Sequence, residues 1–169
     1  MAKWLKCLYE EYLQEELEEE LSFNSSVVIG GLYFGSLKAL DENKPNKPLY
    51  FLVIDKVDDD LYEVLKATDH YLFATASDVL IDLGTMKIAV ETDNNFYLTE
   101  KEISKFKLIH QISEEELNKI VAFRDGQSAE IKKGFTPIFE DDIRRKFKRE
   151  EFNQIKEFHS RIFEILEED

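Results

Sequence analysis

Five arginines, three histidines and one cysteine are the scarce reactive side chains of this 169-residue chain, and their placement limits its chemistry. All the arginines (Arg124, Arg144, Arg145, Arg149 and Arg161) lie beyond residue 123, so the strand-rich part of the sequence contains no guanidinium. A guanidinium fork is the usual way to hold phosphate or to stabilise charge at a reacting phosphorus, whereas a lysine supplies only a point charge. His70, His110 and His159 are widely separated, with no carboxylate or cysteine at ligand spacing, so neither a metal set nor a cofactor is expected. Cys7 stands alone, which excludes an internal disulfide or a thiolate cluster and fits a reducing compartment. No glycine-rich phosphate loop or nucleophile elbow occurs, and Asp and Glu are too numerous for any two to stand out as an acid–base pair. Arg144, Arg145, Lys146, Lys148 and Arg149 form one cationic run, but Asp141, Asp142, Glu150 and Glu151 lie at helical distances from them. Pairing within the helix is therefore expected ahead of phosphate contact.

The overall charge points the same way. A formal net charge of -14 repels DNA, RNA and anionic lipid, and its natural complement is a basic protein surface. With 43% apolar and 12% aromatic residues, the chain can bury one good core and a helical appendage. No stretch reaches the ~20 apolar residues of a membrane span, and the first residues lack the apolar centre of a signal peptide. A soluble, cytoplasmic protein is expected.

Three segments must position whatever site exists. Residues 1–24 read as an amphipathic helix over 3–22, with Leu5, Leu8, Tyr12, Leu13, Leu17 and Leu21 along one side, Trp4 and Tyr9 flanking them, and glutamates opposite. Seven glutamates face two lysines there, and those toward the C-terminal half oppose the helix dipole. Residues 25–112 read as short strands: Val27–Ile29, Leu32–Leu37, Leu49–Lys56, Leu61–Ala67, Val79–Ile81, Met86–Val90, Phe96–Leu98 and Phe106–Ile112. Asp58, Asp59 and Asp60 mark a hairpin turn, and Thr99 with Glu102 marks a capping box. Residues 113–169 turn helical, starting at Ser113 with Glu116. A first helix stops near Asp125 and Gly126, and a longer one over Ile143, Phe147, Ile155, Phe158, Ile162 and Leu166 breaks near Glu150. The fold class is α+β, a small barrel or sandwich with an N-terminal helix and C-terminal helices.

The run Asn46-Lys47-Pro48-Leu49-Tyr50-Phe51-Leu52-Val53-Ile54 resembles the Lys-Arg-Pro-hydrophobic run that opens the third strand of the MazF/PemK toxins. Glu63-Val64-Leu65-Lys66-Ala67-Thr68-Asp69 is similar to the strand leading into their Thr-Ser or Thr-Asn corner. The resemblance spans residues 27–112 and implies a small SH3-like β-barrel of a family that cuts RNA. It also exposes a departure. The family's catalytic arginine belongs beside Pro48, where this chain has Lys47, and its hydroxyl falls on Thr68, here followed by Asp69 and His70. RNA cleavage needs a cation at the non-bridging oxygens and an acid–base pair, and Asp69 adds repulsion toward phosphate. On the plainer reading, Thr68 and Asp69 shape a turn.

Degenerate barrels of this family include anti-sigma factors, some encoded beside CRISPR systems whose protease releases them. The resemblance thus implies a non-catalytic regulator that sequesters a basic partner such as a sigma factor, with a regulatory protease as a second partner. The expected contact surface is the first helix, with Trp4, Leu8, Tyr12 and Leu17 as anchors and Glu15 and Glu19 steering toward positive charge. In the bland alternative that helix packs on its own chain. The rival from another class is a MazF-like endoribonuclease using Lys47 and Thr68. Because MazF-like barrels pair, a homodimer is a further expectation, unless the long C-terminal helix caps the site within one chain.

Overall fold

Period-two apolar runs between Gly31 and Gln111 pair into one antiparallel sheet: β1 (Gly31–Ser36), β2 (Pro48–Asp58), β3 (Leu61–Thr68), β4 (Asp78–Asp82), β5 (Lys87–Leu98) and β6 (Lys107–Gln111). The computed structural model describes residues 3–17, 24–127, 131–134 and 142–161. Within them lie the helices α1 (Lys3–Gln14), α2 (Glu100–Ile103), α3 (Glu114–Arg124) and α4 (Ile143–Gln154). The protein is α+β, and its sheet curls into a half-barrel. The spatial order β4-β5-β3-β2-β1-β6 leaves β4 and β6 at opposite edges, so the sheet is open. Among the described residues no helix is long and apolar enough to cross a membrane.

Local chemistry explains most element boundaries. Asp59 and Asp60 turn the β2–β3 hairpin, as the acidic run predicts. Thr99 and Glu102 form a complete capping box at α2, and Ser113 caps α3 by accepting from the Glu116 amide. Gly126, with φ of +83°, ends α3. Other boundaries differ from expectation. Val27–Ile29 is not a strand: Gly30 at φ +84° turns the chain, and the Tyr33 hydroxyl takes the Val28 amide and donates to the Ser26 carbonyl in place of a ladder. Met86–Val90 and Phe96–Leu98 are one strand, β5, because a bulge and not a turn separates them.

Helix α1 stops at Gln14, well short of residue 22. The Lys47 ammonium donates to the Leu13 carbonyl at 2.6 Å, and the Leu17 amide donates to the Asn46 carbonyl at 2.8 Å. A cation on the last carbonyls suits the helix dipole, whereas the glutamates beyond would oppose it. Residues 18–23, with Leu21, lie outside the described residues. The break in the last helix falls at Ile155 and not near Glu150: α4 runs through Glu150, then Ile155 leaves helical geometry at φ −125° and drops into the core, followed by one 3-10 turn, Lys156–Phe158. Ile162, Phe163 and Leu166 lie outside the described residues.

Three apolar clusters hold the layers together. On one face of the sheet Tyr33, Phe51, Val53, Val64, Phe96 and Phe106 pack with Ile155 and Phe158 from beyond α4. On the other, Leu32, Leu52, Leu65, Val79 and Val90 pack with Leu117 and Ile120 of α3. Leu5 and Tyr12 of α1 join Phe73 and α4's Ile143 and Phe147 in the third.

Gly35 tests the first cluster. A β-carbon there would stand 2.5 Å from Cδ1 of the fully buried Phe106. Gly35→Ala must displace that ring, and we expect a loss of about 1–3 kcal/mol in urea denaturation. An unchanged midpoint would contradict this packing.

Candidate functional site

Opposite Lys66 the β3–β5 ladder is interrupted: the step from Leu65 to Ala67 on β3 is matched by Asn95 back to Val90 on β5. Such a bulge re-aims side chains that a regular strand would alternate. Glu91 and Asn94 become buried, and Asp93 meets Lys148 of α4 at 2.8 Å. Above them, α4 presents Ile143, Phe147 and Glu151 at one-turn intervals, so a carboxylate continues an otherwise apolar stripe that Ile155 closes just beyond the helix. Lys66 does the same on β3, following Tyr62 and Val64 on the alternating face.

These intrusions meet. The Lys66 ammonium donates to Glu151 Oε1 at 2.6 Å, with the two side chains 2% and 1% exposed. The Tyr12 hydroxyl donates to Glu151 Oε2 at 2.5 Å and receives the Gln154 amide at 3.2 Å, which ties α1, α4 and the sheet through one carboxylate. Asn94 donates to Glu91 Oε1 at 3.0 Å, and its own carbonyl oxygen lies 2.8 Å from His159 Nε2. Lys148 also donates to the buried Asp78 at 2.6 Å. Ionisation divides along this seam. Burial alone would raise the Glu151 carboxyl, but the Lys66 charge and the converging donors hold it below the usual range. Burial pushes Glu91 well up, and the Glu151 charge pushes it further. Two carboxyls whose surroundings push them in opposite directions are the pattern of an acid–base pair, yet each residue is 1% exposed. The pair serves the interior.

The seam surfaces beneath the end of α1, and here the sequence-derived catalytic candidates converge. Lys47, Tyr50, Thr68, Asp69, His70 and Glu15 line one small pocket, with about 10 Å³ of free space, roughly one water's worth. Lys47 is held by the Leu13 carbonyl, and Thr68, 5% exposed, accepts the His70 amide at 3.1 Å. His70 Nε2 lies 2.5 Å from Glu15 Oε2 and 3.7 Å from Asp69 Oδ1. Glu15 lies 55 positions from His70 in the sequence, so only folding brings this carboxylate to the ring. Burial lowers His70, but Glu15, Asp69 and Glu151 more than reverse this and raise it.

The expected partner-binding residues separate. Trp4 stands 56% exposed on α1. Leu8 is half-buried on the third cluster, and Tyr12, 5% exposed, packs its ring 4.5 Å from that of Phe147. Tyr12 is therefore a core residue that faces its own chain. Leu17 is half-buried and bound through its backbone to Asn46, and Glu15 faces His70. Glu19 lies outside the described residues. In the cationic run, Arg144 pairs with Asp142, but Lys148 reaches across to the sheet instead of along its helix.

Two measurements follow from the seam. Lys66→Met or Glu151→Leu alone strands a buried charge and should cost about 3–5 kcal/mol, while the double variant should lose less than the sum; additive losses would deny the coupling. For Glu91, the folded state keeps a proton that the unfolded chain releases above its ordinary value of roughly 4.3. Stability attributable to it therefore falls as pH rises from there toward the folded value. Glu91→Gln should melt higher than the parent at pH 8, with the gap closing toward pH 4.5, and a constant gap would count against a protonated Glu91.

Comparison with known proteins gives no matching family model, no curated relative and no matching solved structure, so the reading of function depends on these residues alone.

Proposed function

We propose that this protein is a non-catalytic regulator of anti-sigma-factor type, built on a MazF/PemK-like SH3 barrel, that sequesters a basic protein partner through an acidic surface and its amphipathic first helix. The observation that carries this reading is the state of the cleavage candidates. Lys47 is committed to the end of α1 and Thr68 is buried beneath it, so the chain's own first helix fills the place where RNA would lie. The opposite side of that helix is open. Trp4 is exposed two turns before the exposed Glu11, an aromatic anchor on a helix where Lys3 and Lys6 balance Glu10 and Glu11, so the negative field comes from the chain as a whole. The net charge of -14 favours encounter with a cationic surface, such as the promoter-binding helices of a sigma factor. Proteolysis in or near α1 would release such a partner, which fits a regulatory protease.

One observation favours the rival endoribonuclease: Lys47 and Thr68, chosen from sequence, do share a pocket with a histidine and three carboxylates. In that case α1 must swing aside for RNA to enter.

Trp4 is the chain's single tryptophan, so its emission reports binding directly. Titration with a purified sigma-factor promoter-binding region should shift that emission at low salt, and the shift should weaken as salt rises. By calorimetry, Trp4→Ala should bind about 2 kcal/mol more weakly with an unchanged melting temperature. Cleavage of single-stranded RNA by the purified protein, abolished in the Lys47→Ala, Thr68→Ala double variant, would replace this reading with the enzyme.

A further inference from the structure

We propose that Glu15, Asp69 and His70 form a binding site for a first-row divalent transition-metal ion, of which Zn2+ is the natural probe. The three side chains each offer one ligand atom, and these atoms all lie within 4.8 Å of one another. Donors about 2.0–2.2 Å from a shared ion stand roughly 3 Å or a little more from each other. The His70 Nε2 distances of 2.5 Å to Glu15 and 3.7 Å to Asp69 bracket that separation. Rotation of the two carboxylates about their side-chain bonds exchanges the imidazole–carboxylate contact for coordination.

The elements allow such movement. Glu15 follows the last turn of α1 on irregular backbone, whereas Asp69 and His70 are fixed by the end of β3 and the 3-10 turn at Tyr71–Phe73. The adjoining free space of about 10 Å³ suits a coordinated water that completes the sphere.

A second observation, independent of the distances, is the local charge. Among the described residues no lysine or arginine pairs with Glu15 or Asp69; the group that does is the His70 imidazole. Lys47 and Lys66 line the same pocket but are turned to the Leu13 carbonyl and to Glu151. Two half-buried carboxylates therefore face each other across a titratable ring, and the negative potential they create reaches the Tyr50 hydroxyl, which burial raises first and Asp69 and Glu15 raise further. A divalent cation relieves that potential.

The donor set selects the ion. One imidazole with two carboxylates suits Zn2+, Mn2+, Co2+ or Ni2+, whereas Mg2+ and Ca2+ favour all-oxygen shells. Such an ion would staple the end of α1 to the β3 corner, stabilising the covered state of the pocket. The site stands independently of the partner proposed above.

The test is calorimetric titration of Zn2+ into the chelator-treated full chain, with Mg2+ as control and Co2+ absorption as a spectroscopic readout of ligation. One Zn2+ per chain, a rise in melting temperature and a Co2+ ligand-field spectrum are expected. His70→Gln should weaken binding by more than ~10-fold. Asp69→Asn, which keeps the shape and leaves the His70–Glu15 contact in place, should do the same while the metal-free melting temperature stays near the parent's. Absence of Zn2+ binding would overturn the site. So would equal affinity in parent, His70→Gln and Asp69→Asn, because the ion would then be held elsewhere on an acidic surface.

Discussion

The buried pair between Lys66 and Glu151 governs the arrangement of everything around it. A charge at the middle of a sheet face is tolerable only with its partner in place, and the partner arrives on a helix more than eighty residues later. That requirement fixes α4 over β3 in one register, since a shift of one turn would strand both charges. Tyr12 then uses the second oxygen of Glu151, so α1 is positioned by the same group. Apolar contacts among Leu5, Phe73, Ile143 and Phe147 supply area, but area is indifferent to small slides. The polar contacts supply direction.

This constraint links the interior to the surface pocket. Because Tyr12 is anchored by Glu151, the residues just beyond it, Leu13 and Glu15, are delivered to Lys47 and His70. The cover over Lys47 and Thr68 is thus a consequence of a buried ion pair. It also divides α1 into an inner side committed to its own chain and an outer side, carrying Trp4, that is exposed.

Much of this architecture was legible in the sequence, and what was not has physical causes. The hairpin at Asp59–Asp60, the capping box at Thr99, the Ser113 cap and the α+β class follow from local rules, because turns and caps satisfy their own backbone groups. Tyr12 was read as a partner anchor because an amphipathic stripe does not say which surface covers it; the hydroxyl's contact with Glu151 decides. Lys66 and Glu151 each carried a visible signal, a charge at an inward position of an alternating strand and at a core position of a helical stripe. Taken singly such residues pass as defects; as an opposite-signed pair they predict contact. The β5 bulge and the meeting of Glu15 with His70 left no comparable trace, since both are set by register and tertiary packing.

The scarcity of arginine takes on a structural meaning in this light. Arg124 binds Glu63 at 2.8 Å and so ties the end of α3 to β3, while Arg161 grips Glu102 and closes the C-terminal turn onto α2. Arg144 pairs with Asp142, the residue that caps α4. Each of these three guanidiniums is matched to a carboxylate that is itself partly buried, where a bidentate or short contact is strong and little screened. Such pairs neutralise themselves and leave the excess of acid to the outer surface. At the pocket, the nearby cations are a lysine held by a backbone carbonyl and a lysine locked on Glu151. Glu15 and Asp69 meet the His70 ring instead, so the same distribution of charge that secures the helices leaves these two carboxylates without a lysine or arginine partner among the described residues.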